Sequence, residues 1–155
     1  MKKSIIALIV IAIGGLSFTF ANKTVNENTS EISSEATMQA SGIKFTHTSL
    51  AEAKAMAKKS GKLVFIDCYT TWCGPCKVLS TKVFTDPAVG AYFNKNFINV
   101  KLDMEKSADG RAVGSQYAVQ AYPTLLFINA KGDLVKRSVG LKNSQQLLDI
   151  AKTAR

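Results

Sequence analysis

The chain has 155 residues, of which 46% are apolar and 20% charged, and 20 lysines and arginines against 11 aspartates and glutamates give a net charge of +9. This composition excludes a disordered chain, a collagen-like chain and a small disulfide-rich scaffold, and it allows one globular domain with a substantial core. The positive charge raises the question of a nucleic-acid or anionic-membrane partner.

The first residues have the pattern of a secretory signal peptide. Lys2 and Lys3 precede an apolar stretch at residues 5–16, and small Thr19 and Ala21 follow at the spacing that signal peptidases recognise. We expect cleavage after Ala21, which removes residues 1–21 and leaves the protein in the periplasm. The alternative is an uncleaved membrane anchor at residues 5–20 with the domain facing the periplasm, although this stretch is shorter than the ~20 residues that span a bilayer comfortably.

Residues 22–42 are rich in serine, threonine, asparagine and glutamate and have few large apolar side chains. Such a segment buries too little surface to offset its ordering entropy, so it is expected to be a flexible tether. The folded domain is then residues 43–155. Lysines and glutamates cancel within residues 1–42, so the net charge of +9 belongs to the domain.

The predicted elements of the domain alternate between helices and strands. Ser49 and Glu52 form a capping-box pattern that starts a helix, and Gly61 supplies its end. The apolar run at residues 63–66 predicts a strand buried on both faces. Residues 73–84 are predicted to form a helix that is broken or kinked near Pro75.

The second half of the domain predicts a mixed sheet. Asp86 and Pro87 are the cap and first-turn proline of a short helix, and Asn143 with Gln146 starts a last one. The remaining predictions are strands at 97–102, 124–128 and 134–139, a helix at 111–117 and a hairpin turn at 129–133. The fold class is therefore α/β, with a central mixed sheet flanked by helices on both faces.

The chemistry of the chain concentrates in the sequence Trp72-Cys73-Gly74-Pro75-Cys76, between a buried strand and a helix. Two cysteines at this spacing can close a small disulfide ring. The unpaired amides and dipole at a helix N-terminus stabilise a thiolate at Cys73, and the thiolate is the attacking species in disulfide exchange. Cys76, one turn deeper, can then resolve the mixed disulfide.

Two other interpretations of this motif are a purely structural disulfide and half of a zinc site. Zinc needs four ligands, and the available cysteines and histidine are Cys68, Cys73, Cys76 and His47. His47 precedes the first helix and Cys68 lies in a buried strand, so this set is poorly placed for a metal. No metal site is expected.

Three segments together resemble a thioredoxin-fold oxidoreductase: residues 64–67, residues 72–77 and Tyr122-Pro123-Thr124. The resemblance covers essentially all of residues 43–155. The helix before the first strand and the segment at residues 83–89 are similar to the C-terminal thioredoxin-like domain of bacterial thiol:disulfide interchange reductases.

The resemblance implies roles for four further residues. Pro123 is the expected cis-proline facing the cysteine pair, and the peptide at Tyr122 is expected to bind a substrate strand. Asp67 matches the buried carboxylate that exchanges a proton with Cys76, and Lys101 matches the lysine beside it. The alternatives are a strand-end aspartate that caps the following turn and a solvated strand lysine.

Some residues depart from the family pattern or leave two interpretations open. Tyr69 stands where thioredoxins usually carry tryptophan, and Cys68 replaces a core aromatic residue. Cys68 should point to the face opposite to Asp67 and serve as a small buried hydrophobe. Trp72 can either contact substrates or cover the cysteines, and His47 is expected at the surface.

The functional prediction is an exported thiol:disulfide oxidoreductase that reduces protein disulfides, with no cofactor beyond its Cys73–Cys76 couple. The Gly74-Pro75 dipeptide resembles the reducing members of the family. The expected partners are disulfide-containing client proteins and a membrane electron donor of the disulfide-interchange type, with no nucleic acid, and the protein is expected to be a monomer. The alternatives are an oxidase or isomerase, or a thioredoxin-like module that binds partners without turnover.

Overall fold

The computed structural model of the protein describes residues 42–155. The predicted signal peptide at residues 1–21 and the predicted tether, apart from Gly42, lie outside the described residues. The elements in chain order are α1 (Leu50–Ser60), β1 (Leu63–Tyr69), α2 (Gly74–Val78), α3 (Pro87–Asn96), β2 (Phe97–Asp103), α4 (Gly110–Gln116), β3 (Thr124–Ile128), β4 (Leu134–Val139) and α5 (Ser144–Thr153). In the described part of the chain, no helix is long and apolar enough to cross a bilayer.

The predicted helix starts are confirmed by their hydrogen bonds. Ser49 and Glu52 form a reciprocal capping box at α1, and Asn143 and Gln146 form the equivalent pair at α5. The carboxylate of Asp86 accepts a hydrogen bond from the amide of Ala88 at the start of α3. Each cap satisfies amides that a helix leaves unpaired, which is why these helices begin at the predicted residues.

The four strands form one mixed sheet in the order β2-β1-β3-β4. β1 runs parallel to β2 and antiparallel to β3, and β4 pairs antiparallel with β3 through the predicted hairpin. β1 continues to Tyr69, three residues beyond the apolar run that predicted it, because its ladder with β2 extends over its full length. Parallel pairing places the carboxyl ends of β1 and β2 at the same edge of the sheet.

Helices cover both faces of the sheet, as predicted. On one face, α1 and α4 pack on the even-numbered side chains of β1, which are Val64, Ile66 and Cys68. On the other face, the segment after α2 packs with α3 and α5 around Phe65 and the neighbouring phenylalanines. Because strand side chains alternate, Asp67 lies on the same face as Phe65. This alternation assigns the carboxylate and Cys68 to opposite faces.

The predicted kink near Pro75 is wrong. Pro75 lies in the first turn of α2, where a missing amide hydrogen costs no helical hydrogen bond. The irregularity follows α2, where residues Leu79–Val83 form a π-helical turn and the amide of Phe84 donates to the carbonyl of Leu79 at 2.8 Å. The hydroxyl of Thr81 donates to the carbonyl of Lys77, a contact that often bends helices.

Candidate active site

Cys73 and Cys76 form a disulfide at the amino end of α2, with their Cα atoms 5.3 Å apart. Cys73 is the N-cap residue, and its sulfur accepts a hydrogen bond from the amide of Cys76 at 3.1 Å. Only 3% of Cys73 and 2% of Cys76 are exposed. The helix terminus thus directs an amide at the sulfur that would carry negative charge after reduction, which favours the thiolate.

Gly74 and Pro75 form the exposed surface of the disulfide ring. A Cβ added to Gly74 would meet no described atom within 4 Å, so the packing of the described chain does not require glycine there. The absence of a side chain instead leaves the backbone open to close approach by another molecule.

Trp72 is the most exposed large apolar side chain beside the disulfide, with 66% of its surface accessible. Its indole Nε1 donates to the carboxylate of Glu105 at 3.0 Å, and its ring meets the edge of Tyr122 at a centroid distance of 6.0 Å. The backbone amide of Glu105 is in turn held by the carboxylate of Asp103 at the end of β2. These contacts orient Trp72 beside the disulfide while its surface stays available.

Pro123 lies immediately before β3, and the Tyr122–Pro123 peptide bond is cis. The carbonyl of Pro123 accepts a hydrogen bond from the amide of Gly140 at 2.8 Å, which joins this segment to the end of β4. The hydroxyl of Thr124 donates to the carbonyl of Ala121 and closes the turn. Through the contact between Trp72 and Tyr122, the structure brings this segment next to the cysteine turn.

Asp67 is a fully buried carboxylate within β1, six residues before Cys73. Its Oδ2 atom pairs with the ammonium of Lys101, its register partner on β2, whereas Oδ1 has no hydrogen-bond partner in the described chain. Burial raises the pKa of the Asp67 carboxyl, and the positive charge of Lys101 opposes this rise. The alternative of a strand-end cap is therefore wrong, because Asp67 lies inside the strand and bonds to Lys101.

Lys101 is held by several neighbours in addition to Asp67. Its ammonium donates to the hydroxyl of Ser80 at 2.9 Å and lies 4.3 Å from the centre of the Tyr69 ring, with two phenylalanine rings slightly farther away. Its side chain is 26% exposed. The interpretation of Lys101 as a freely solvated lysine is therefore wrong.

An open cavity of about 150 Å³ reaches from Lys101 and Ser80 to Cys76 of the disulfide, since these three residues are among those that line it. It is large enough for water, and the hydroxyl and ammonium offer hydrogen-bond partners. Ser80 was not predicted as a site residue, although it lies four residues after Cys76 and helical spacing places such pairs on one face. Glu105 was also missed, because no sequence pattern links it to Trp72.

The third cysteine lies apart from this site. Cys68 is free and fully buried, and it packs in the core on the face opposite to Asp67. Burial raises the pKa of the Cys68 thiol far above its usual range. His47 is exposed, as expected. Across residues 42–155, no group of three or more cysteine, histidine or acidic side chains is arranged to hold a metal.

Comparison with known proteins places the chain in a family. The sequence model of the thioredoxin-like family matches residues 46–130. A thioredoxin-like protein of Synechocystis is 33% identical over 93 residues, which make up 60% of this chain and 82% of that protein. The thiol:disulfide interchange protein DsbD of Haemophilus ducreyi is 32% identical over 133 residues, which are 85% of this chain and 23% of that much longer protein.

The solution structure of a proposed disulphide-isomerase from Bacteroides thetaiotaomicron is similar in both sequence and fold. It is 48% identical, with a TM-score of 0.66, over 75% of this chain and 95% of that chain. The family match covers more than half of the chain and includes both cysteines of the disulfide. The chain therefore belongs to the thioredoxin-like family and is a thiol:disulfide oxidoreductase.

Proposed function

We propose that the protein is an exported reductase of protein disulfides in which Cys73 attacks and Cys76 resolves. The observation that carries the proposal is the Cys73–Cys76 disulfide at a helix N-terminus. Asp67, a buried carboxylate with a raised pKa, lies in the strand that leads into the cysteine turn. The signal-peptide pattern at residues 1–21 supports export, and the Gly74-Pro75 dipeptide supports reduction.

In the proposed reaction, the Cys73 thiolate attacks one sulfur of a client disulfide. The client S–S bond breaks, its other sulfur leaves as a thiolate that takes up a proton, and Cys73 remains joined to the client. Cys76 then attacks Cys73, which releases the second client thiol and re-forms the Cys73–Cys76 disulfide. The client gains two electrons and the protein loses two, so a dithiol donor must reduce the protein before the next cycle.

Asp67 is proposed to accept the proton that Cys76 loses during resolution. Its raised pKa brings the carboxyl nearer to neutral pH, where such a base works best. Lys101 and Ser80 line the cavity that also reaches Cys76, and Lys101 pairs with Asp67. The proposed proton path therefore runs from Cys76 through this cavity and past Lys101 to Asp67. In this role Lys101 and Ser80 position and tune Asp67, and they do not touch the client.

The client strand is proposed to bind across Trp72, Gly74 and the peptide before Pro123. Trp72 offers an exposed aromatic surface, Gly74 permits close approach, and the Tyr122–Pro123 segment offers backbone groups for hydrogen bonding. The electron donor is proposed to be a membrane protein of the disulfide-interchange type, because DsbD of Haemophilus ducreyi is similar over 85% of this chain. In this proposal, residues 1–21 are the signal peptide, residues 22–42 the tether and residues 43–155 the thioredoxin-like domain.

Insulin reduction with dithiothreitol tests the proposed activity and the order of attack. The protein should accelerate precipitation of the insulin chains over dithiothreitol alone, whereas a non-catalytic binding module would not. C76S should accumulate mixed disulfides with insulin, and C73S should lose both activity and trapping. C68S is the matched control and should retain activity, since Cys68 lies on the opposite face of the sheet. Trapping by C73S would contradict the assigned order.

The reduction potential of the Cys73–Cys76 couple separates the reductase from an oxidase or isomerase. We expect a potential close to that of thioredoxin, about −270 mV, when the couple is equilibrated with glutathione or with a thioredoxin of known potential. A value near that of the strong periplasmic oxidants, about −120 mV, would reverse the proposed direction of electron flow.

A further inference from the structure

A positively charged surface lies at the end of the sheet remote from the disulfide. The parallel strands β1 and β2 both begin there, at Leu63 and Phe97, whereas the turn that carries Cys73 follows the other end of β1. A strand of seven residues spans about 20 Å. Groups at the start of β1 therefore take no part in disulfide exchange.

Four cationic side chains line one open depression of about 540 Å³ at this end: Lys62, Lys95, Lys152 and Arg155. We refer to these four residues as the basic pole. Lys95, Lys152 and Arg155 are exposed and Lys62 is half-buried. Among the described residues, no aspartate or glutamate lines the depression, and no member of the pole forms an ion pair.

The negative ends of nearby helices neutralise only part of this positive charge. α1, α3 and α5 all end at the depression, and cations in a last turn stabilise a helix. Each helix C-terminus carries about half a negative charge, so three ends offset about 1.5 of the four positive charges. Lys58 and Lys59 in the last turn of α1 add to the excess that remains. The pole thus keeps a net positive charge.

The arrangement of the pole favours an extended anionic surface over a single small anion. Its four charges come from three separate segments, at the start of β1 and the ends of α3 and α5, and three of them are exposed. Against a plane of negative headgroups, the contributions of such spread charges add up, because each charge can approach a headgroup of its own. The remaining lining residues are mainly apolar or aromatic, such as Tyr92.

We propose that the basic pole holds the domain against an anionic lipid bilayer. In this orientation the Cys73–Cys76 disulfide lies at the far end of the sheet and faces away from the membrane, so clients reach it freely. The proposal goes beyond the proposed reductase activity and does not depend on it, because none of the four residues belongs to the disulfide site.

The test is vesicle co-sedimentation of the full chain at low salt. One set of vesicles contains one-third phosphatidylglycerol in phosphatidylcholine, and the other contains phosphatidylcholine alone. Because the apolar stretch at residues 5–16 can bind either set, the measured quantity is the ratio of the anionic to the neutral partition coefficient. Each lysine near an anionic surface contributes about fivefold, so K95Q/K152Q should lower this ratio about 20- to 30-fold.

K106Q/R111Q is the matched control. It removes the same charge from exposed residues that follow β2, at the end of the sheet opposite to the pole, and it should change the ratio less than about twofold. K95Q/K152Q should also keep wild-type insulin reduction, which shows that it is folded.

Three results would overturn the proposal. The first is an equal fall in the ratio of partition coefficients for K95Q/K152Q and K106Q/R111Q, since net charge alone would then explain binding. The second is a ratio near unity for the unmodified protein. The third is saturable binding of inorganic phosphate that depends on Lys95 and Lys152 without an effect of these lysines on vesicles, which would identify a small-anion site.

Discussion

At the scale of single residues, Asp67 combines a large energetic cost with a proposed role. A carboxylate in the core loses its hydration, and the single pairing with Lys101 leaves Oδ1 without a partner in the described chain. A protein selected for stability alone would have little reason to keep it, since asparagine or leucine at this position would avoid the charge. Perturbed carboxyls of this kind concentrate at functional sites.

We predict that D67N changes both the pH dependence of stability and the rate of resolution. Because the pKa of Asp67 is higher in the folded than in the unfolded protein, the folded state binds the proton more tightly. The wild type therefore loses stability as the pH rises from about 4 through the raised pKa, and D67N lacks this loss. In urea unfolding at several pH values, the free energy of unfolding of the wild type should fall relative to that of D67N as the pH rises.

The kinetic part of this prediction uses the mixed disulfide. Stopped-flow release of a client from wild-type protein should be about 100-fold faster than from D67N near neutral pH, since D67N lacks the base. D149N, which changes an exposed carboxylate on α5, is the control and should match the wild type in both measurements. If D67N and wild type had parallel stability curves and equal release rates, Asp67 would have no part in proton transfer.

At the scale of elements, α3 approaches the chain at Gly42 more closely than any side chain permits. A Cβ on Gly90 would lie 2.3 Å from the carbonyl oxygen of Gly42. The amide side chain of Asn94 also donates to that oxygen at 3.0 Å, and the amide of Ile43 bonds to the carbonyl of Phe84. Glycine at position 90 thus allows α3 to dock on the segment that leads into the domain.

Gly90 and Gly114 provide a matched pair for testing this contact. G90A should destabilise the protein by about 1–3 kcal/mol, because backbone atoms must move to relieve the overlap. In α4, a Cβ on Gly114 would meet only the methyl group of Met104 at 3.6 Å, so G114A should gain up to about 1 kcal/mol from helix propensity. Urea unfolding measures both, and a stabilising G90A would show that α3 does not need this approach.

The elements also show how far local sequence determines structure. Ser49, Asp86 and Asn143 begin helices because their side chains bond to amides within the next turn, an interaction that sequence spacing alone predicts. The π-helical turn after α2 was not predictable in this way. It depends on how Leu79 and Val83 pack in the core and on the bond between Ser80 and Lys101, which lies on another strand.

At the scale of the whole molecule, the sheet separates the two surfaces to which function is assigned. The cysteine motif and its buried carboxylate were predictable because their residue types and spacing are specific to one family. The basic pole was not, because its lysines are far apart in sequence and are indistinguishable there from lysines on any helix end. The parallel pairing of β1 and β2 and the depression that all four residues line show that they share one end of the domain.

The position of Cys68 gives the molecule a built-in chemical reporter. When the active-site pair is oxidised, Cys68 is the one remaining thiol among the chain's three cysteines, and it is completely buried in the core on the face that α1 and α4 cover. An alkylating reagent can therefore mark this sulfur only in molecules whose core has opened. The rate at which the oxidised protein takes up the label therefore reports the local opening of β1, and no engineered probe is needed.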